Sequence, residues 1–190
     1  MQDHQMYEQN YKVNPKIFNL WLFLGSVVMI FAGFTSAYIV RRAEGNWLVF
    51  DIPDIFIGST IVIVLSSIVM HMAYLKAKKD DIQATKLYLG MTSVLGIAFM
   101  VMQVIGWNKL VGKDIYLVGV NPSASFFYVL TFVHALHLLG AVIALFATFV
   151  KSFRFEVHSR STVLIEGCMT LWHFLGILWI YLFLFLKLYR

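Results

Sequence analysis

The chain has 190 residues, of which 60% are hydrophobic and 13% charged, with a formal net charge of +5 and a mean hydropathy of +0.77. Roughly a quarter of the residues of a soluble domain are charged, so this composition excludes a soluble globular protein and describes an integral membrane protein. The positive excess flanks apolar runs, where it meets anionic lipid headgroups, and needs no nucleic-acid partner.

Five apolar runs reach the ~20 residues that a helix needs to span ~30 Å of hydrocarbon. The fold class read from them is all-α: an integral membrane bundle of five transmembrane helices in one membrane domain, 1–190. The first run, 17–40, follows Asn14-Pro15 and ends in Arg41-Arg42. Proline suits a first helical turn, where its missing N–H has no intrahelical partner anyway. The run is too long for the apolar core of a signal peptide and follows an acid-containing segment, so it reads as a permanent helix.

The second run, 54–76, carries His71 near its inner end, and the third, 87–108, carries Gln103. The fourth, 124–150, contains His134 and His137; the fifth, 162–186, contains Glu166, Cys168, Trp172 and His173. Small residues recur at helical spacing: Gly33 and Ala37, Gly90 and Ser93, then Gly140, Ala144 and Thr148. In lipid, helices associate through close backbone approach at such positions, so tight packing within the bundle or against partners is expected there. Trp47, Trp107, Tyr116 and Tyr189 stand at run ends and read as interface anchors.

Lys and Arg near membrane ends are retained on the cytoplasmic side. With the N-terminus inside, nine of the fifteen basic residues are inner (Lys12, Lys16, Lys76, Lys78, Lys79, Lys86, Lys151, Arg154, Arg160) and six outer (Arg41, Arg42, Lys109, Lys113, Lys187, Arg190). The predicted topology is therefore N-terminus cytoplasmic and C-terminus periplasmic.

Ionisable residues at membrane depth are a functional hypothesis by default, because hydrocarbon offers neither water nor counter-ions. His137 and His173 are placed near the midplane, His134 roughly 4.5 Å further out on the same helical face as His137, and Glu166 about 10 Å below His173. These residues predict a polar seam between the fourth and fifth helices; His71 is placed too far away in depth to join it. Neutral imidazole ligates haem and metals, but His134 and His137 share one helix face, which does not suit the two sides of a haem. A His and carboxylate proton relay has only one acid here. The third reading, hydrogen bonding across helices or to a lipid or partner helix, accounts for the pattern. The lone Cys168 has no partner for a disulfide or a metal site and reads as a small packing residue. The sequence has no phosphate-cradling Gly-rich loop, no nucleophile with a base at a recognised spacing and no paired carboxylates. An independent hydrolase or group-transfer enzyme is not expected, and an autonomous membrane haem protein or small transporter is the rival from another class.

Three segments carry a resemblance: SVVMIFAGFTSAY from Ser26 to Tyr38, FVHALHLLG around His134 and His137, and Glu166 followed by LWHFLGILW. Together, and with Gln103 in the third helix, they resemble subunit III of the haem-copper respiratory oxidases, the cytochrome c oxidase subunit III family. Larger members have seven helices, and the five here are similar to the last five, as in bacterial forms; a bacterial plasma membrane is implied.

The resemblance implies a subunit of a proton-translocating oxidase that has no catalytic residue, metal or haem of its own. Haem and copper would reside in partner subunits. The implied partners are subunit I, in direct contact, with subunit II and others in the complex, and phospholipid. The implied role is to stabilise the oxygen-reducing centre and support proton uptake in aerobic electron transport. His134, His137, Glu166, Trp172 and His173 become lipid-binding or bundle-stabilising residues, and Ser26, Gly33, Tyr38 and Gln103 family motif positions. A quinol-oxidase subunit III is the alternative within the family. Three acids frequent in the family are absent, their places taken by Val27, Gly106 and Gly176. A proton-uptake role tied to the first of them does not carry over.

Overall fold

A computed structural model describes residues 15–45, 47–118, 121–153 and 163–189. Lys12, Arg154, Arg160 and Arg190, which enter the charge count, lie outside the described residues. The elements are α1 (Pro15–Ala43), α2 (Ile55–Lys78), α3 (Ile82–Val111), α4 (Pro122–Phe153) and α5 (Val163–Leu188). All five are long and apolar enough to cross a membrane. Each expected run is thus a helix, and each helix extends past its run at one or both ends. The largest extension is at the start of α3, which begins five residues before the apolar run. There the Asp81 side chain accepts a hydrogen bond from the Ala84 N–H at 3.1 Å and caps a first turn that is too polar to register in hydropathy.

The α2–α3 turn is tight. The Asp81 N–H donates to the Lys76 carbonyl at 3.1 Å and the Asp80 N–H to the Ala77 carbonyl at 3.2 Å, closing the end of α2 with Asp80 at φ +55°. Glycine usually fills this left-handed position; aspartate is among the few other residues that tolerate it. An ion pair from Lys76 to Asp81 at 3.4 Å spans the same turn.

Contacts run α2 to α3, α3 to α4, α4 to α5 and α5 back to α2, so four helices close on themselves; α1 lies outside against α4 and α5 only. Accordingly 17% of the apolar window of α1 is buried within the chain, against 44% for α5. The core between the four helices is dominated by Phe56, Phe99, Leu130, Trp172 and Trp179, none more than 1% exposed.

The small residues divide differently from expectation. A Cβ on Gly33 or Gly140 would meet nothing within 4 Å, and Ala37 is exposed, so these positions do not serve packing inside this chain. The close approaches are at Gly106, where a Cβ would lie 2.5 Å from the Phe56 ring, and at Gly96, where it would lie 2.6 Å from the Trp172 ring. Aromatic rings, rather than backbones, fill the space left by the missing side chains. Spacing patterns of small residues do not reveal this, because the ring that needs the gap is on another helix.

Two consequences are measurable. Gly106→Leu lowers thermal stability in detergent by about 1–3 kcal/mol, the usual cost of overpacking, whereas Gly33→Leu leaves the melt of the chain nearly unchanged. The Ala84 N–H, followed by Lys76, holds the Asp81 carboxyl below its ordinary pKa. Its contribution to stability is therefore present above the unfolded value and lost as pH falls through the folded one; Asp81→Asn keeps a cap and removes that acid-side dependence of the melting temperature.

Candidate functional site

Several buried polar side chains between the helices are held by one recurrent arrangement. The Trp172 indole N–H donates to Ser66 Oγ at 3.1 Å, and Trp179 donates to Thr60 Oγ1 at 3.0 Å, joining α5 to α2. Gln103 Nε2 on α3 donates to Ser59 Oγ on α2 at 3.0 Å, and Trp107 on α3 donates to Thr131 Oγ1 on α4 at 3.1 Å. Ser59 and Thr60 in turn donate to the Phe56 carbonyl, at 2.9 and 2.7 Å, and Thr131 donates to the Phe127 carbonyl at 2.8 Å. A hydroxyl thus passes its proton to its own helix and accepts one from a neighbouring helix. Trp107, read from the sequence as an interface anchor, belongs to this internal set.

Of the expected motif residues, Trp172, Gln103 and Tyr38 are buried, the last with its hydroxyl donating to the Tyr189 carbonyl at 3.1 Å. That bond ties α1 to the far end of α5. Tyr38 is also packed edge-on against Trp47, 4.7 Å between ring centroids, so Trp47 too is a packing residue. Ser26 is exposed and donates to its own helix, at the Phe23 carbonyl. Sequence reading missed Ser59, Thr60, Ser66, Thr131 and Trp179. A usable signal exists: Thr60 and Ser66 are nearly two turns apart on α2, as are Trp172 and Trp179 on α5, which matches antiparallel helices in register.

The histidines do not form the expected seam. His134 is fully buried, its ring among those of Trp179 (5.2 Å), Phe99 and Phe31 (both 6.3 Å), and neither ring nitrogen has a protein hydrogen-bond partner. His137 turns toward α1, against Phe31 and Phe23. Its Nδ1 donates to the Val133 carbonyl at 2.7 Å. His173 pairs with His71 across α2 and α5, at 6.0 Å between centroids, the pairing that depth had seemed to forbid. The reason is register: Trp179, not His173, lies level with His134, and His173 is six residues, about 9 Å, nearer the start of α5. His71 is seven residues from the end of α2, so the two histidines share a depth.

Glu166 is half-buried in the first turn of α5, where the helix dipole favours a carboxylate, and Lys78 at the end of α2 interacts with its charge. Val27 is 1% exposed and packed in the core. Gly106 is occupied by the Phe56 ring, as above, and a Cβ on Gly176 would lie 3.2 Å from Ser67 Oγ. Cys168 is buried. Among the described residues no group of three or more His, Cys, Asp and Glu side chains is placed to hold a metal ion.

Three of the concavities on the described surface lie near these residues or at the bundle ends. An apolar groove of about 410 Å³ between α2 and α5 is lined by Ile63, Val64, Ile68, Ile177 and Ile180, with His71 and His173 at its lower end. A second, of about 310 Å³, lies where α1, α4 and α5 meet, at Leu20, Ala147, Gly167 and Leu171. A third, of about 400 Å³, is charged and sits at the opposite end of the bundle from Glu166, between the start of α2 and the ends of α3 and α5.

The family model described as cytochrome c oxidase subunit III matches residues 48–190. The chain is 28% identical over 184 residues to subunit 3 of the cytochrome bo(3) ubiquinol oxidase of Buchnera aphidicola subsp. Schizaphis graminum, covering 92% of this chain and 94% of that protein. It is 27% identical to cytochrome c oxidase subunit 3 of Thermostichus vulcanus, covering 88% and 84%. Identity to the same subunit of Synechocystis is 28%, covering 91% and 75%.

A double-mutant cycle on Trp172→Phe and Ser66→Ala measures the indole–hydroxyl bond directly. The expected coupling is about 0.6 kcal/mol, with an upper limit near 1.7, as for hydrogen bonds between transmembrane helices, read from unfolding in mixed micelles.

Proposed function

Because the chain belongs to the cytochrome c oxidase subunit III family, and so is a multi-pass protein of a bacterial plasma membrane that associates with other oxidase subunits, we propose that it is the non-catalytic subunit that packs on subunit I. In this reading subunit II and others complete the complex, and haem and copper are held by partner subunits. The chain itself sustains oxygen reduction and supports proton uptake by bracing the oxygen-reducing subunit and retaining phospholipid. The N-terminus faces the cytoplasm, which puts the His71–His173 pair and Glu166 on the proton-uptake side.

The observation that carries this reading is the division of the polar groups. Ser59, Thr60, Ser66, Gln103, Trp107, Thr131, Trp172 and Trp179 fasten helices to each other, while α1 presents an exposed apolar flank that includes Trp21 at 62% and Met29 at 76% exposure. A surface of that kind is made to be covered by helices or lipid. The histidines support the same reading: His134 is walled in by aromatic rings and His173 faces another helix, so the two do not flank one slot in which a haem plane would fit. The groove between α1, α4 and α5 has the small, apolar lining that suits an acyl chain, and it opens beside Glu166 in sequence. Among the relatives both cytochrome c oxidases and ubiquinol oxidases occur, as expected of a subunit whose place does not depend on the electron donor.

The test is purification of the tagged chain from membranes. Large haem-bearing subunits and their Soret band should co-purify; isolation of the chain alone with a Soret band of its own overturns the reading in favour of an autonomous haem protein. His137→Leu and His173→Leu are expected to weaken assembly or lipid retention several-fold while leaving the haem spectrum of the assembled complex unchanged.

A further inference from the structure

Where the α1–α2 connection meets the start of α4, a buried donor is left over by the fastening described above. The Trp47 indole Nε1 is buried and has no hydrogen-bond partner among the protein atoms. It lies beside the Tyr38 hydroxyl, in the edge-on ring pair with centroids 4.7 Å apart, without bonding to it. Such a donor forfeits the hydration that it has in the unfolded chain, and a buried tryptophan ordinarily has its N–H satisfied. Trp107, Trp172 and Trp179 follow that rule by donating to hydroxyls. Trp47 does not.

Trp47 borders a small cavity shared with Tyr38 of α1, Leu48 of the connection and Ser123 at the start of α4, with Phe127 and Leu186 among its apolar walls. Its space admits the centre of a single water-sized sphere, about 10 Å³, the size at which a polar cavity holds one water molecule. Tyr38 and Ser123 are 3% and 2% exposed, so neither hydroxyl is bathed by solvent. Their protons are already placed. Tyr38 donates to the Tyr189 carbonyl at 3.1 Å, and Ser123 to the Leu48 carbonyl at 2.8 Å or to Asn121 Oδ1 at 3.1 Å. Each oxygen keeps a lone pair with which to accept.

We infer that this cavity binds one structural water molecule, which joins α1, the α1–α2 connection and α4. The water accepts from the Trp47 N–H and donates its two protons to Tyr38 Oη and Ser123 Oγ. A buried water typically makes about three hydrogen bonds, and these satisfy it together with the orphaned indole. None of the lining residues is charged, and an indole N–H repels a cation, so an ion does not fit the site. The cavity lies at helix ends, where water rather than hydrocarbon is at hand. The Leu48 N–H donates to Asn121 Oδ1 at 3.0 Å beside it. The water therefore completes a set of bonds that fastens α1, which touches only α4 and α5, and the chain that follows it to the ring of four helices. It does not rest on the oxidase reading, so either can fail without the other.

The experiment is cryo-electron microscopy of the protein as purified from membranes with its partner subunits, at a resolution that shows ordered water. A density peak should lie within about 3.2 Å of Trp47 Nε1, Tyr38 Oη and Ser123 Oγ. A peak that reaches Trp47 Nε1 and at least one of the hydroxyls bears the inference out. An unfilled cavity, a peak that misses Trp47 Nε1 or both hydroxyls, or an indole N–H bonded directly to Tyr38 Oη overturns it. Trp47→Phe removes the donor and should remove the peak, whereas Trp21→Phe on the exposed flank of α1 should leave it; a peak retained in Trp47→Phe also counts against the site. A double-mutant cycle on Trp47→Phe and Ser123→Ala, read from unfolding in mixed micelles, tests the bridge in solution. These two side chains share no direct hydrogen bond, yet a bridging water couples them by about threefold in the unfolding constant, the scale of one hydrogen bond between transmembrane helices. Strict additivity overturns the bridge. The wild-type map carries the test if Trp47→Phe does not assemble.

Discussion

Hydrocarbon supplies no hydrogen-bond partner, and the architecture of this protein depends on that fact. A polar group placed between the helices can draw a hydrogen-bond partner only from the protein. The hydroxyls of Ser59, Thr60 and Thr131 meet the demand twice, donating to a carbonyl of their own helix and accepting from Gln103, Trp179 or Trp107 on another. A serine or threonine in this role is fixed in direction by its own backbone before the second helix arrives. It therefore selects the register of its neighbour as well as adding attraction, which in lipid cannot come from the hydrophobic effect. Indoles are suited to the other half of the bond because they bury a large apolar ring and have a single N–H to satisfy.

The same constraint orders the ionisable groups by depth. Glu166 and Lys78 sit together at one end of the bundle, at helix ends where dipoles and headgroups favour charge. His137, deeper in the membrane, satisfies one nitrogen on its own backbone. His134, fully buried, is ringed by Phe31, Phe99 and Trp179. Acids in the interior would have no such recourse, and the interior here is closed by packing: Val27 is in the core and the Phe56 ring sits over Gly106.

Helix number, the proline start of α1 and the family resemblance were legible in the chain, because hydropathy over twenty residues and motif residues in order are local properties. Helix ends were less so, since caps such as Asp81 extend a helix beyond its apolar run. The histidine pairing was misread for a more instructive reason. Depth along a helix is counted from an assumed boundary, and an error of a few residues at each end moves a side chain by a full turn; His173 was thereby set level with His137 and away from His71, its actual neighbour.

By itself, then, the sequence determined that this is a membrane bundle of five helices, which subunit family it belongs to, and which residues are polar enough to demand partners. The tertiary structure alone decided who those partners are: Ser66 for Trp172, Thr60 for Trp179, His71 for His173, and a ring from another helix in the space over Gly96 and Gly106. The physical reason is that spanning a bilayer is a property of one segment's composition, whereas satisfying a hydrogen bond or filling a gap depends on the rotation and register of two helices, set only when all five pack together.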